Sequence, residues 1–87
     1  MSKLAEIDAR LMRGEEVFIA DEFHEMALRI FRNKDGQVFY CRKRHKGFAF
    51  PEELPIDPKQ SNTAFEVMLG GKFISEQEFD SYDKNNG

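Results

Sequence analysis

The stretch "MALRIFRNKDGQVFY", Met26–Tyr40, decides how this chain folds. Met26, Leu28 and Ile30 alternate with polar or smaller neighbours, as in a strand with one buried face. Asp35-Gly36 is a strong two-residue hairpin signal, and Val38-Phe39-Tyr40 beyond it is rich in strand-forming residues. Phe23, Met26, Ala27, Ile30 and Phe31 also fit one face of a helix. That helix leaves Leu28 on its polar side, whereas the hairpin buries it. The hairpin is the reading adopted, with a helix over residues 23–33 as the alternative.

A two-residue turn at Asp35-Gly36 sets the pairing on either side of it. Phe31 then faces Tyr40, Ile30 faces Cys41, Arg29 faces Arg42 and Leu28 faces Lys43. Side chains alternate between the faces of a strand, so each face can be written out. Met26, Leu28, Ile30, Phe39 and Cys41 form the expected core face. Ala27, Arg29, Phe31, Tyr40, Arg42 and Arg44, with Lys46 further along, form the other. Arg29 directly opposite Arg42 is destabilising, and an acidic surface laid over the pair relieves it. The candidate contact residues are therefore Arg29, Phe31, Tyr40, Arg42, Arg44 and Lys46.

Charge is distributed to match. The chain of 87 residues carries a net −3. Residues 1–25 balance to −4, residues 26–47 to +6 and residues 48–87 to −5. A basic centre between acidic flanks suits an anionic partner, or packing of the chain's own acidic helices on its basic strand. The preferred external partner is a protein with an acidic surface. Nucleic acid is the second class.

Outward from the hairpin, Leu4, Ile7, Leu11 and Met12 recur at helical spacing. This gives an N-terminal helix over Ser2 to Arg13, capped by Ser2, stopped by Gly14 and supported by a Glu6–Arg10 ion pair. Val17-Phe18-Ile19 reads as a first strand. Pro51, Pro55 and Pro58 mark a connector up to Gln60. A short helix follows through Leu69, opened by Ser61, Asn62 or Thr63 and ended by Gly70-Gly71; Thr63 and Glu66 have capping-box spacing. Ser75 and Glu78 match the same box and open a last helix, on which Phe79 and Tyr82 pack back. The expected architecture is α+β: an N-terminal helix, a small antiparallel sheet of about three strands and two short C-terminal helices. Residues 1–83 form one compact domain and 84–87 a frayed tail.

Lys46-Gly47-Phe48-Ala49-Phe50 is similar to the opening of the RNP1 motif of RNA-recognition-motif domains. Val17-Phe18-Ile19 resembles the start of that family's RNP2 strand, and Ala64 to Ile74 its second helix and following turn. The resemblance implies base stacking on Phe48 and Phe50 and a phosphate contact from Lys46. It stops at Pro51, which cannot donate within a central strand, and Pro51-Glu52-Glu53 replaces the motif's apolar-x-aromatic ending. Phe48 and Phe50 are accordingly read as core.

Other chemistry finds little footing. Cys41 is the only cysteine, so no intramolecular disulfide staples the domain. Cys41 and His45 are four apart, about 13 Å on a strand and too far to share a metal. Gly70-Gly71-Lys72 lacks the spacing of a phosphate-binding loop. No metal, cofactor or catalytic residue is assigned. With no apolar run near membrane-spanning length and no leader pattern, the chain reads as soluble and cytoplasmic. The functional expectation is a non-enzymatic binding or regulatory protein acting stoichiometrically on a protein partner. Phage and mobile-element inhibitors of host machinery are the compositional analogy. An RNA- or single-strand-binding module using the basic-aromatic face is the alternative.

Overall fold

A computed structural model of the chain describes residues 3–44, 49–56 and 63–82. The elements run α1 (Lys3–Met12), β1 (Val17–Asp21), β2 (Met26–Arg32), β3 (Val38–Arg44), β4 (Ala49–Pro55), α2 (Thr63–Gly70), β5 (Lys72–Phe73) and α3 (Glu76–Asp80). The fold is the expected α+β arrangement. The antiparallel sheet has five strands rather than about three, in the order β4-β3-β2-β1-β5. Ser2, Lys46, Phe48, Pro58, Ser61, Asn62 and the tail 84–87 lie outside the described residues.

The Met26–Arg32 stretch is a strand, and it hairpins with β1 as well as with β3. The loop to β3 differs from the two-residue turn expected. Asn33 and Gln37 close it, the Asn33 N–H donating to the Gln37 carbonyl at 2.9 Å, and three residues lie between them. Asn33 Oδ1 accepts from the backbone N–H of Asp35 (3.0 Å) and of Gln37 (2.9 Å). The Gly36 N–H donates to the Asn33 carbonyl at 3.1 Å, and Gly36 sits at φ 83°, a left-handed conformation that a side chain would disfavour. The signal was present as Asn at the first and Gly at the fourth position of a type I turn, Asn33-Lys34-Asp35-Gly36.

This loop displaces the pairing by one residue. Ile30 faces Tyr40, Arg29 faces Cys41, Leu28 faces Arg42 and Phe31 faces Phe39. The faces of β3 are therefore exchanged relative to the sequence expectation. Tyr40 lies on the core side and is 7% exposed, while Phe39 and Cys41 turn to the outer face and are only partly buried.

The core fills the inner face of the sheet. Val17, Ile19, Met26, Leu28, Ile30 and Tyr40 meet Ile7 and Leu11 of α1 and Ala64, Val67 and Met68 of α2. Each fully buried Ile, Leu or Met contributes about 1.5–3 kcal/mol of hydrophobic stabilisation. Val38, Leu54, Ile56 and Phe73 pack at its margins. The proline-bearing segment read as a connector forms β4. It is an edge strand, where a proline without a donor can sit, and a register shift between Tyr40 and Arg42 interrupts its ladder. Phe50 lies on β4 opposite Arg42.

Between α2 and β5 the backbone passes very close to β1. The Gly71 N–H donates to the Val67 carbonyl at 2.7 Å. A Cβ on Gly71 would lie 2.6 Å from the Val67 oxygen and 2.7 Å from the Ala20 oxygen. The Gly71 carbonyl accepts from Lys3 Nζ, which ties the start of α1 to the same point. On the outer face, α3 opens with the expected capping box. Glu78 N–H donates to Ser75 Oγ at 3.0 Å, and Ser75 N–H donates to Glu78 Oε1 at 3.2 Å. Its buried Phe79 packs on Phe18 with ring centroids 5.5 Å apart. Among the described residues no helix is long and apolar enough to cross a membrane.

Two substitutions test these constraints by urea denaturation. Asn33→Ala removes the three hydrogen bonds of the Asn33 side chain, two from backbone N–H groups and one to Gln37 Oε1, and lowers stability by about 1–2 kcal/mol. Gly71→Ala forces two backbone elements apart and lowers it by about 3 kcal/mol.

Candidate functional site: the outer sheet face and the β1–β2 loop

The exchange of faces divides the basic surface expected from the sequence. Arg29 and Phe31 are on the outer face, Tyr40 and Arg42 share the inner side with Ile30 and Leu28, and Arg44 stands opposite Met26 in the register. Arg29 does not oppose Arg42; its cross-strand partner is Cys41. The like-charge cost that called for an external acid is absent from this pair.

Arg29 has an acidic partner within the chain. Its Nε donates to Glu16 Oε1 at 3.0 Å and its Nη2 to Glu16 Oε2 at 2.7 Å, a bidentate pair. The hydrogen bonds hold the Glu16 carboxyl below its usual range and raise Arg29 further. The guanidinium lies 5.0 Å from the centre of the Phe31 ring, which stacks on Phe39 at 6.2 Å with 20° between the planes. Cys41 is next to this group, and burial pushes its thiol up. Lys43, on the same face, donates to the Asp80 carbonyl at 2.9 Å and lies 5.0 Å from the Phe79 ring. The outer face is thus aromatic, with its cations already engaged.

The β1–β2 loop forms a second feature, built by a short acidic sequence, Asp21-Glu22-Phe23-His24-Glu25. Asp21 Oδ1 accepts the Phe23 N–H at 2.9 Å, and the Glu25 N–H donates to the Glu22 carbonyl at 3.2 Å. Glu25 takes a left-handed φ of 51° to bring the chain back into β2. His24 joins the loop to α2. Its Nδ1 is 2.7 Å from Asp21 Oδ2 and its Nε2 is 2.8 Å from Glu66 Oε2. Carboxylate oxygens only accept, so both ring nitrogens donate and the imidazole is cationic in this arrangement. The bond to Asp21 is the main cause that raises the His24 pKa above 6.5, with Glu66 adding to it. Glu66 of α2 is the residue that accepts from His24 in this clasp.

The clasp leaves Phe23 outside. Phe23 is 88% exposed, with its ring edge-on to His24 at a centroid distance of 5.1 Å. Leu69, 59% exposed, follows Glu66 by three residues on α2 and so stands beside it. Phe23, His24, Asp21 and Glu66 are therefore joined in one group, with Glu22 and Glu25 as sequence neighbours. Burial pushes the Tyr82 hydroxyl up, and the negative charges of Glu22, Asp21 and Glu25 add to it.

In the sequence Phe23 has a place only in the alternative helix over residues 23–33, and neither Phe23 nor His24 is among the candidate contact residues. Asp21 as an Asx-turn residue two before Phe23 was the local signal; the His24–Glu66 contact joins residues 42 apart and had none. Among the described residues no group of three or more His, Cys, Asp or Glu side chains is arranged to hold a metal ion. A groove of about 420 Å³ beside α1 is lined by apolar residues such as Leu4, Ile7, Val38 and Met68, with Asp8 as the one ionisable side chain among its described lining residues. Comparisons with protein families, with characterised proteins and with solved structures give no match.

The clasp makes a pH dependence. The folded-state pKa of His24 is raised, so its stabilisation is complete below about 6.5 and is lost as pH rises through the folded value. Asp21 is lowered, so its contribution is present above 3.8 and lost as pH falls through its own folded value. Stability relative to His24→Gln is therefore greatest in mildly acidic solution. Urea melts of both proteins across pH check this, with an NMR titration of the His24 ring expected to give a midpoint above 6.5 that drops in Asp21→Asn.

Proposed function

We propose that the protein is a small non-enzymatic binding protein that acts stoichiometrically on a protein partner, and that it engages that partner with the β1–β2 loop. The observation that carries this reading is Phe23, a large aromatic side chain 88% exposed at the tip of a loop whose backbone is braced. A single exposed apolar residue is ordinary on a protein surface. This one is held by the bonds of Asp21 and His24, so little conformational freedom remains to be lost when it docks. A presented aromatic with a polar rim is the usual anatomy of an interface hot spot.

Charge sets the partner's chemistry. Asp21 and Glu66 bond His24 and Glu22 and Glu25 stand beside Phe23 and His24 in the loop, so carboxylates outnumber His24 here. The complementary surface is an apolar pocket bordered by lysine or arginine, and such charge matching speeds encounter and excludes acidic competitors. The acidic-surface partner expected from the sequence relied on Arg29, Arg42 and Arg44 acting together. The register separates Arg29 from Arg42, and Glu16 already neutralises Arg29. Occupying a partner one to one is the mode of an inhibitor or regulatory protein.

Affinity capture with purified bait tests the reading. Phe23→Ser weakens recovery of the partner by about 2 kcal/mol, roughly thirty-fold in affinity, as loss of a hot-spot aromatic does. Arg42→Glu leaves recovery unchanged. Recovery that survives Phe23→Ser and fails with Arg42→Glu returns the contact to the basic strand. Binding to single-stranded RNA that falls steeply with log salt and ignores Phe23 establishes the nucleic-acid class instead.

A further inference from the structure

We propose that a proton on His24 works as a latch: it ties the β1–β2 loop to α2, and its loss frees the loop at Glu66 while the bond to Asp21 remains. The latch stands on the geometry of the clasp. That it sets how firmly Phe23 is presented to a partner rests on the binding reading above.

The two ties of His24 are unequal. Asp21 is three residues away along the chain, and its side chain is only 12% exposed. Its other oxygen, Oδ1, accepts the Phe23 N–H at 2.9 Å, so the carboxylate is held from two sides. Glu66 reaches in from α2 with a longer side chain that is 57% exposed and regains rotamer freedom on release. A neutral imidazole has one N–H and one acceptor nitrogen. With the hydrogen on Nδ1 the bond to Asp21 survives, and Nε2 then turns a lone pair on a carboxylate oxygen 2.8 Å away. Glu66 can swing into water and Asp21 is held in place, so the break falls between loop and helix.

Charge drives the same break. A Cβ built on Gly70, the last residue of α2, would lie 3.7 Å from Asp21 Oδ2. Asp21 therefore stands against the carbonyl end of a helix, the negative pole of its dipole. No basic residue occupies the last turn of α2. The bond from His24 is the main cause that holds Asp21 below its usual range. The charged groups acting on His24 are Asp21 of β1 and Glu66 of α2, with Glu22 and Glu25 beside it in the loop. From the other elements, Lys72 of β5 and Tyr82 beyond α3 share a pocket with Glu22 rather than with His24. Once His24 is neutral, the loop carboxylates, Glu66 and the helix end repel one another without a cation in the clasp.

NMR on the full chain, with no partner present, tests the latch. Below the His24 midpoint the Cα order parameters of Phe23, His24 and Glu25 are expected at about 0.85, the value of rigid backbone, and above it they fall below about 0.6. Those of β2 stay rigid throughout. Ring nitrogen shifts show neutral His24 carrying its hydrogen on Nδ1. Glu66→Ala, at an exposed helix position that alanine suits, gives a loop that is mobile on both sides of the midpoint. Loop order unchanged through the midpoint overturns the proposal, as does a neutral Nε2–H tautomer or a Glu66→Ala loop that stays rigid in acid. A partner whose capture ignores Phe23→Ser ends the binding reading and leaves these results untouched.

Discussion

One side-chain oxygen governs the geometry of this sheet. Asn33 Oδ1 accepts two backbone N–H groups and closes a three-residue loop between β2 and β3. Because strand side chains have a period of two, a loop one residue shorter would exchange the faces of β3. Tyr40 would then leave the core and Phe39 would enter it. The location of the tyrosine, the stacking of Phe31 on Phe39 and the position of Cys41 next to Arg29 all follow from where that loop begins and ends.

Local signals were legible and sums over distance were not. The α+β class, the β2–β3 hairpin, the Glu6–Arg10 pair at 3.1 Å and the Ser75–Glu78 capping box each depend on residues within a few positions of one another. The same locality explains the error of register: Asp35-Gly36 was weighed alone, without Asn33, whose side chain completes the turn. Proline was read as a break, yet Pro51 and Pro55 sit in an edge strand, where nothing in their own neighbourhood announces that β3 will pair with them. The His24–Glu66 and Arg29–Glu16 contacts span 42 and 13 residues and exist only because the sheet brings their elements together.

Those two contacts also explain why regional charge misled. A strongly basic segment between acidic ones suggested an exposed electrostatic footprint. In the fold, the strand's cations are shared among three surfaces. Arg29 meets Glu16 in the connection between α1 and β1, Lys43 meets the carbonyl end of α3, and Arg42 turns to the inner side. Carboxylates instead gather beside Phe23, in a region whose net −4 the sequence already contained. An exposed ion pair such as Arg29–Glu16 adds about 0–1 kcal/mol to stability, so its effect is on which charges remain available rather than on the fold.

The strand order has a consequence for how the chain reaches this state. Strands β1 to β4 are a meander in which each pairs with its sequence neighbour, so they can form by successive hairpins with short loop closures. Strand β5 is different, since Lys72 and Phe73 must travel back to Ala20 and Ile19 across the whole meander. Until Gly71 threads between the Val67 and Ala20 carbonyls, β1 is an unguarded sheet edge. The nascent chain is therefore most vulnerable to intermolecular strand addition in the interval after the meander forms and before its last two-residue strand arrives.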